Sequence, residues 1–218
     1  MRTLVLVLVL VLDLSSRASD PQRSTDHDYD TPVAGTYKLP VIKPAADGEV
    51  LDSNGHSLHL RDLTRGRITV MSFIYTRCAA AKACPMATGV LSQIRRLSEQ
   101  DAALAKHLRL VSISFDPVND TPERMAAYST LADTGVPGSE WHFITTASQQ
   151  KVTPILDAYG QAVDRKANPR DPTGPLNHVL RVFLIDRTGN IRNIYSSSTL
   201  DLRLVLADIK TLLAEQTK

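Results

Sequence analysis

Apolar residues fall into two kinds of run along this chain. Arg67 to Thr76 (RITVMSFIYT) and Leu108 to Phe115 (LRLVSISF) are almost unbroken, the pattern of strands buried on both faces, and Trp141 to Thr145 (WHFIT) is a shorter third. Between them the apolar positions recur at helical spacing. Met86, Val90, Leu91, Ile94 and Leu97 follow Pro85, which suits a first helical position. DTPERMAAYSTLADTG predicts a second helix, with Asp120 and Glu123 spaced like a capping pair and Gly135 as its stop. ASQQKVTPILDAYG predicts a third, ending at Gly160, in which Pro154 must kink the helix or mark its true start. Val50 to Leu60 reads as a hairpin turning at Asn54-Gly55, and VLRVFLID with NIRNIYSS as another around Thr188-Gly189. Leu202, Val205, Leu206, Ile209, Leu212 and Leu213 mark an amphipathic last helix.

Strands alternating with helices, then a hairpin, then a helix, predict an α/β fold: a central mixed sheet with parallel members and helices on both faces. The segment 161–178, QAVDRKANPRDPTGPLNH, is polar and rich in Pro and Gly. A loop of that length in a compact domain is often functional. No internal repeat is visible.

The two ends of the pattern differ in kind. Arg2 precedes the apolar run Leu4 to Leu12, Asp13 ends it, and Ser16-Arg17-Ala18 places small residues where a cleavage site needs them. Residues 1–18 therefore read as a secretory signal peptide. A helix of that run would span only about 14 Å of a ~30 Å hydrocarbon core, and no cysteine follows it to carry a lipid. Residues 19–35 are polar and read as a flexible leader, with His27 solvated, ahead of one domain over 36–218. The expected place of the mature chain is outside the cytoplasm, periplasmic or otherwise extracytoplasmic, meeting a membrane only through a partner. With 25 basic and 23 acidic residues among 218, the formal charge of +2 is too balanced for a polyanion partner, and no basic stripe interleaved with aromatics points to nucleic acid.

Chemistry concentrates in CAAAKACP, Cys78 to Pro85, which holds both cysteines of the chain. Its middle, AAAKA, favours helix. A straight helix would leave the cysteines about 9 Å apart along its axis and roughly 240° apart around it, out of reach of a disulfide or a shared ion. Cys78, however, follows a buried strand and Cys84 precedes the proline that opens a helix, so the residues between must form a loop, and a folded loop can bring the sulfurs together. A purely structural disulfide across so short a loop contributes only ~2–2.5 kcal/mol. Cys84 at a helix N-terminus is expected to carry the more acidic thiol, Cys78 at a strand end the less acidic one, with Lys82 adding positive charge nearby. His56 and His59, flanking the first hairpin turn, are expected at the surface, and His142 packed in or at the edge of its strand.

FIYTRC with CP, ISFDPVNDTPERM, and NHVLRVFLIDRTGNI occur in that order, and on these blocks the chain resembles the Sco/SenC family over roughly residues 36–215. The resemblance implies a thioredoxin-like fold, an exported or membrane-anchored location, and copper binding in the assembly of the binuclear copper site of cytochrome c oxidase. The family's two cysteine ligands fall on Cys78 and Cys84 and its distant histidine ligand on His178; Asp116 matches an acidic position near the site that is not a ligand. The implied cofactor is a copper ion, and the implied partners are a copper-receiving oxidase subunit or another copper chaperone. Two features depart from the common pattern: the spacing is Cys-x5-Cys, two residues longer, as in a subgroup, and Asn177 stands where many members have Asp.

Two soft thiolates and an imidazole suit Cu(I), Cu(II) or Zn(II), and in a thioredoxin-like fold the loop before the late strand lies against the cysteine turn. The rival reading is a thiol–disulfide oxidoreductase that needs only Cys78 and Cys84 as a redox pair. A thiol peroxidase fits less well, since no Pro-x3-Thr-x2-Cys pattern is present.

Overall fold

The structure, a computed structural model, describes residues 29–130 and 135–215. The predicted signal peptide at 1–18, residues 19–28 with His27, and residues 131–134 of the predicted helix ahead of Gly135 lie outside the described residues.

In chain order the elements are β1 (Lys43–Pro44), β2 (Glu49–Leu51), β3 (Ser57–His59), α1 (Leu60–Thr64), β4 (Ile68–Ile74), α2 (Cys84–Ser98), α3 (Ala102–His107) and β5 (Leu108–Ser114). There follow α4 (Pro122–Ser129), β6 (Glu140–Ile144), α5 (Gln149–Tyr159), β7 (Val163–Arg165), β8 (Leu176–His178), β9 (Val182–Ile185), β10 (Asn190–Tyr195) and α6 (Leu202–Glu215). The main sheet runs β1-β10-β9-β4-β5-β6. β4, β5 and β6 are parallel, β9 and β10 antiparallel to their neighbours, so the sheet is mixed as expected.

The apolar runs explain the layers. Every residue of β4 is buried, and successive side chains point to opposite faces. Val70, Leu110 and Leu184 join Leu91 and Ile94 of α2 and Val205 and Ile209 of α6 on one face. Met71, Ile113 and Phe183 join Met125 of α4 and Val152, Ile155 and Tyr159 of α5 on the other. Helices thus cover both faces, and each fully buried Leu, Ile or Phe contributes about 1.5–3 kcal/mol.

Three local expectations change. The cap of α4 is Thr121, whose side chain accepts from the Arg124 N–H, not the Asp120–Glu123 pair. Asp120 points the other way, toward the end of β4. Pro154 does not start α5; Ser148 caps that helix six residues earlier, and Gly160 ends it in the left-handed conformation at φ 63°. The polar segment 161–178 is not one loop. Val163↔His178 and Arg165↔Leu176 pair antiparallel, making a small separate hairpin of β7 and β8. At the other end, part of the predicted leader packs on α6: the Gly35 N–H donates to Thr211 Oγ1 at 2.9 Å, and Arg203 lies 5.5 Å over the Tyr29 ring. Among the described residues no helix is long and apolar enough to cross a membrane.

Candidate metal centre

β4 ends at Ile74 in the middle of the sheet, and the carboxyl end of a central parallel strand is where open α/β sheets present ligands. The chain then runs without helix or strand to Cys84, the first residue of α2. Ala79 to Ala83 stay out of the helix despite their propensity because the segment is tied at both ends. The Cys78 N–H donates to the Tyr75 carbonyl at 3.1 Å, closing a turn, and the Ala83 N–H donates to the Ala80 carbonyl at 2.9 Å. From the side, the Ala79 N–H reaches the Thr173 carbonyl at 3.3 Å. The folded loop brings Cys78 back beside the start of α2, and β8 delivers His178 from the opposite side.

His178 Nε2 lies 3.4 Å from Cys84 Sγ and 3.7 Å from Cys78 Sγ, and all three donor atoms fall within 4.8 Å of one another. Metal–sulfur bonds of about 2.3 Å and metal–nitrogen bonds of about 2.0 Å put sulfur and nitrogen about 3.5 Å apart around a tetrahedral ion and about 3.7 Å around a trigonal one. The spacing therefore fits one ion shared by two sulfurs and a nitrogen. His178 Nδ1 sits 3.4 Å from the Leu176 carbonyl, so with an ion bound a proton on Nδ1 would leave the Nε2 lone pair for the metal, whereas without one Nε2–H can donate to the sulfurs. The ring is held by Tyr75, edge-on at 5.4 Å and 88°, and by Phe115 at 5.0 Å and 44°. Both cysteines are unbridged thiols here.

The sulfurs are not equivalent, and their order reverses the expectation. Cys84 is only 2% exposed, and its hydrogen bond to the Cys78 sulfur together with burial pushes its thiol up. Cys78 is half-buried, and its thiol is pushed well down, first by the hydrogen bond from Cys84, then by His178 and the backbone N–H groups of Cys84 and Ala80. The N–H at the start of α2 lowers both thiols, and the order is set instead by the Cys84–Cys78 hydrogen bond and by the deeper burial of Cys84. In reduced, metal-free protein, the thiol left in Cys84→Ser should alkylate with an apparent pKa clearly below the ordinary ~8.5, and the thiol left in Cys78→Ser above it. The opposite order would return the helix terminus to Cys84.

The other residues named from sequence stand apart from this cluster. Asp116 is paired with Arg77 at 3.0 Å and with Asn119, outside the donor set. His56 faces Asp52, His59 faces Asp47 and His142 faces Glu140, each at 3.2–3.3 Å. Lys82 is exposed and Asn177 lies opposite Asp164 in the β7–β8 pair. Sequence reasoning missed Tyr75, Phe115 and Asp120, which act through packing or through contacts more than forty positions away. It also missed Gly174, whose φ of 100° in DPTGP carried the one local signal available.

The SCO1/SenC family model matches residues 45–214. A protein of Stutzerimonas stutzeri named "putative copper-binding protein" is 30% identical over 139 residues, covering 63% of this chain and 62% of its own, so the chain spans less than two thirds of that relative. A "SCO1 protein homolog" of Bacillus subtilis (strain 168) is 22% identical over 145 residues, covering 66% of this chain and 69% of its own. Among solved structures, a SCO1/SenC family lipoprotein from Bacillus anthracis str. Ames superposes with a TM-score of 0.66 at 22% identity, over 81% of this chain and 99% of that one. Copper-bound ScoI of Bradyrhizobium japonicum gives 0.59 at 19% identity, over 79% and 98%. These superpositions carry the mixed sheet and its flanking helices, the thioredoxin-like arrangement expected from the sequence. The family match begins before the cysteine loop and ends after the last strand, taking in Cys78, Cys84 and His178 together: this chain belongs to the SCO1/SenC family.

Proposed function

We propose that this protein binds one copper ion through Cys78 Sγ, Cys84 Sγ and His178 Nε2 and carries it, outside the cytoplasm, to the copper site of a respiratory oxidase. The observation that carries the reading is the convergence of the three donors from a loop, a helix start and a strand end at spacings that suit one ion. The donor types are those that soft copper prefers. The relative named as copper-binding and the copper-bound ScoI neighbour point the same way. A bound copper would supply a soft cation held for transfer; the chain's own part is to hold two thiolates and a neutral imidazole in place, with Cys78 as the half-exposed donor that a receiving protein reaches first.

Export follows from the signal peptide read at residues 1–18, and the partners proposed are an oxidase subunit or another copper chaperone. One experiment tests the export and metal parts of the reading together. Protein recovered from outside the cytoplasm should begin near Ser19 by N-terminal sequencing and, once reduced, bind one copper per chain with a sulfur-to-copper charge-transfer band for Cu(II). An intact Met1 would remove the export part, and no stoichiometric copper would remove the metal part.

The adjacent, unbridged thiols favour a second reading, a thiol–disulfide oxidoreductase that uses Cys78 as the attacking thiolate. It predicts full activity without His178, which separates it from the first.

A further inference from the structure

Of the three donors, two ride on regular elements: Cys84 opens α2 and His178 ends β8. Cys78 alone stands on irregular backbone, so its place depends on whatever holds the turn Tyr75 to Cys78. Thr76 and Arg77 are the central residues of that turn. Asp120 is fully buried and spends both carboxylate oxygens near it: Oδ1 accepts from Thr76 Oγ1 at 2.5 Å, and Oδ2 accepts from the Thr76 N–H at 3.0 Å and from Ser114 Oγ at 2.6 Å. The Asp120 N–H donates to the Asp116 carbonyl at 2.8 Å, tying the carboxylate's own backbone to the end of β5. Thr76 is thereby fixed through backbone and side chain to the loop after β5. Arg77, by contrast, meets Asp116 in a pair whose arginine side chain is 43% exposed, and such pairs hold geometry weakly.

We propose that Asp120 is the positioning residue of the metal centre: by pinning Thr76 it places Cys78, and so sets the sulfur–nitrogen spacing that admits one ion. Hydrogen bonds that orient a ligand without touching the ion commonly govern affinity by ten- to a hundredfold. Buried hydrogen bonds to a charged acceptor are also the strong ones, so a pin of this kind resists displacement of the turn. Asp116, the acidic residue that the sequence brings forward, is the weaker constraint. The inference rests on the reading of Cys78, Cys84 and His178 as one centre, but its effect on the cysteine pair does not need a metal.

The test compares Asp120→Ala, Asp120→Asn, Asp116→Ala and Thr76→Val with the unaltered protein. Copper affinity is measured by chelator competition on reduced protein, and the Cys78–Cys84 disulfide equilibrium against glutathione on metal-free protein. Asp120→Ala should lower copper affinity at least tenfold and shift the charge-transfer band. It should also raise the disulfide equilibrium constant at least threefold, because a released turn closes the sulfur gap more easily. Asp120→Asn keeps an acceptor for the Thr76 N–H and should recover most of both, and Asp116→Ala should change either by less than threefold. If Asp120→Ala does not fold, Thr76→Val, which removes only the hydroxyl, should still lower copper affinity several-fold. Unchanged copper affinity and disulfide equilibrium in a folded Asp120→Ala or Thr76→Val would overturn the inference, as would an Asp116→Ala effect as large as that of Asp120→Ala. If the unaltered protein binds no copper, the function proposed above fails, and the disulfide equilibrium alone decides the role of Asp120.

Discussion

His178→Ala should abolish the tight one-copper complex while leaving the Cys78/Cys84 dithiol–disulfide couple largely intact. The imidazole supplies one of three donors, and its loss opens a face of the site to water without touching either sulfur's backbone. Among the described residues Nε2 is the one metal-ligating group that reaches both sulfurs from outside the cysteine loop, at 3.4 and 3.7 Å. Two thiolates still attract Cu(I), so the expected result is weak binding with a lost or shifted charge-transfer band, not zero uptake. Chelator competition should show a loss of at least a hundredfold, about 2.8 kcal/mol at about 1.4 kcal/mol per tenfold. Equal affinity in the variant would favour the oxidoreductase over the copper carrier.

The second large effect is expected at Gly174. Its φ of 100° is close to exclusive to glycine, and a Cβ there would lie 2.0 Å from the Tyr75 hydroxyl and 2.9 Å from the Arg77 carbonyl. Tyr75 is 1% exposed, so its ring cannot swing aside, and its hydroxyl donates to the Thr173 carbonyl. Gly174→Ala should therefore destabilise by about 2–5 kcal/mol, combining backbone strain with overpacking. Urea unfolding measures it as a lower midpoint at unchanged slope. Because Tyr75 also packs edge-on against His178, the folded fraction should bind copper more weakly as well. An unchanged midpoint would mean that the approach of the two loops is softer than the contact distances imply.

The parts of the fold legible in the sequence were those that bury a face. β4 and β5 show their burial as unbroken apolar runs and α2 as helical spacing, and α5 carries its stop as Gly160. What escaped lacked that signal. β7 and β8 pair only with each other, outside the main sheet, so their residues alternate among polar types and read as loop. α1 and α3 are too short for a period to register. Asp120 looked like a helix cap because Thr76, its partner, is 44 positions away. The cysteine loop and His178 were legible through the strand-to-helix junction and the family blocks, yet the order of the two thiols was not. It depends on which sulfur donates to the other and which is the more deeply buried, a matter of a few ångströms that no propensity records.

The two supports of the centre also differ in how often they open. β4 lies between β9 and β5 with all seven residues buried, and amides in such a strand exchange with solvent only when the whole domain unfolds. The β7–β8 hairpin has no neighbour in the main sheet and is held instead by Val163 and Leu176 against the core and by the Thr173 carbonyl, which accepts from the Ala79 N–H and the Tyr75 hydroxyl. His178 is thus delivered by a unit tied to the body through loop and side-chain contacts, so its amides are expected to exchange before those of β4, while Cys84 is anchored in the core. An ion held by both joins the two units energetically, so the bound ion should protect the hairpin amides from exchange, and a change that favours the closed hairpin should tighten the ion by the same free energy.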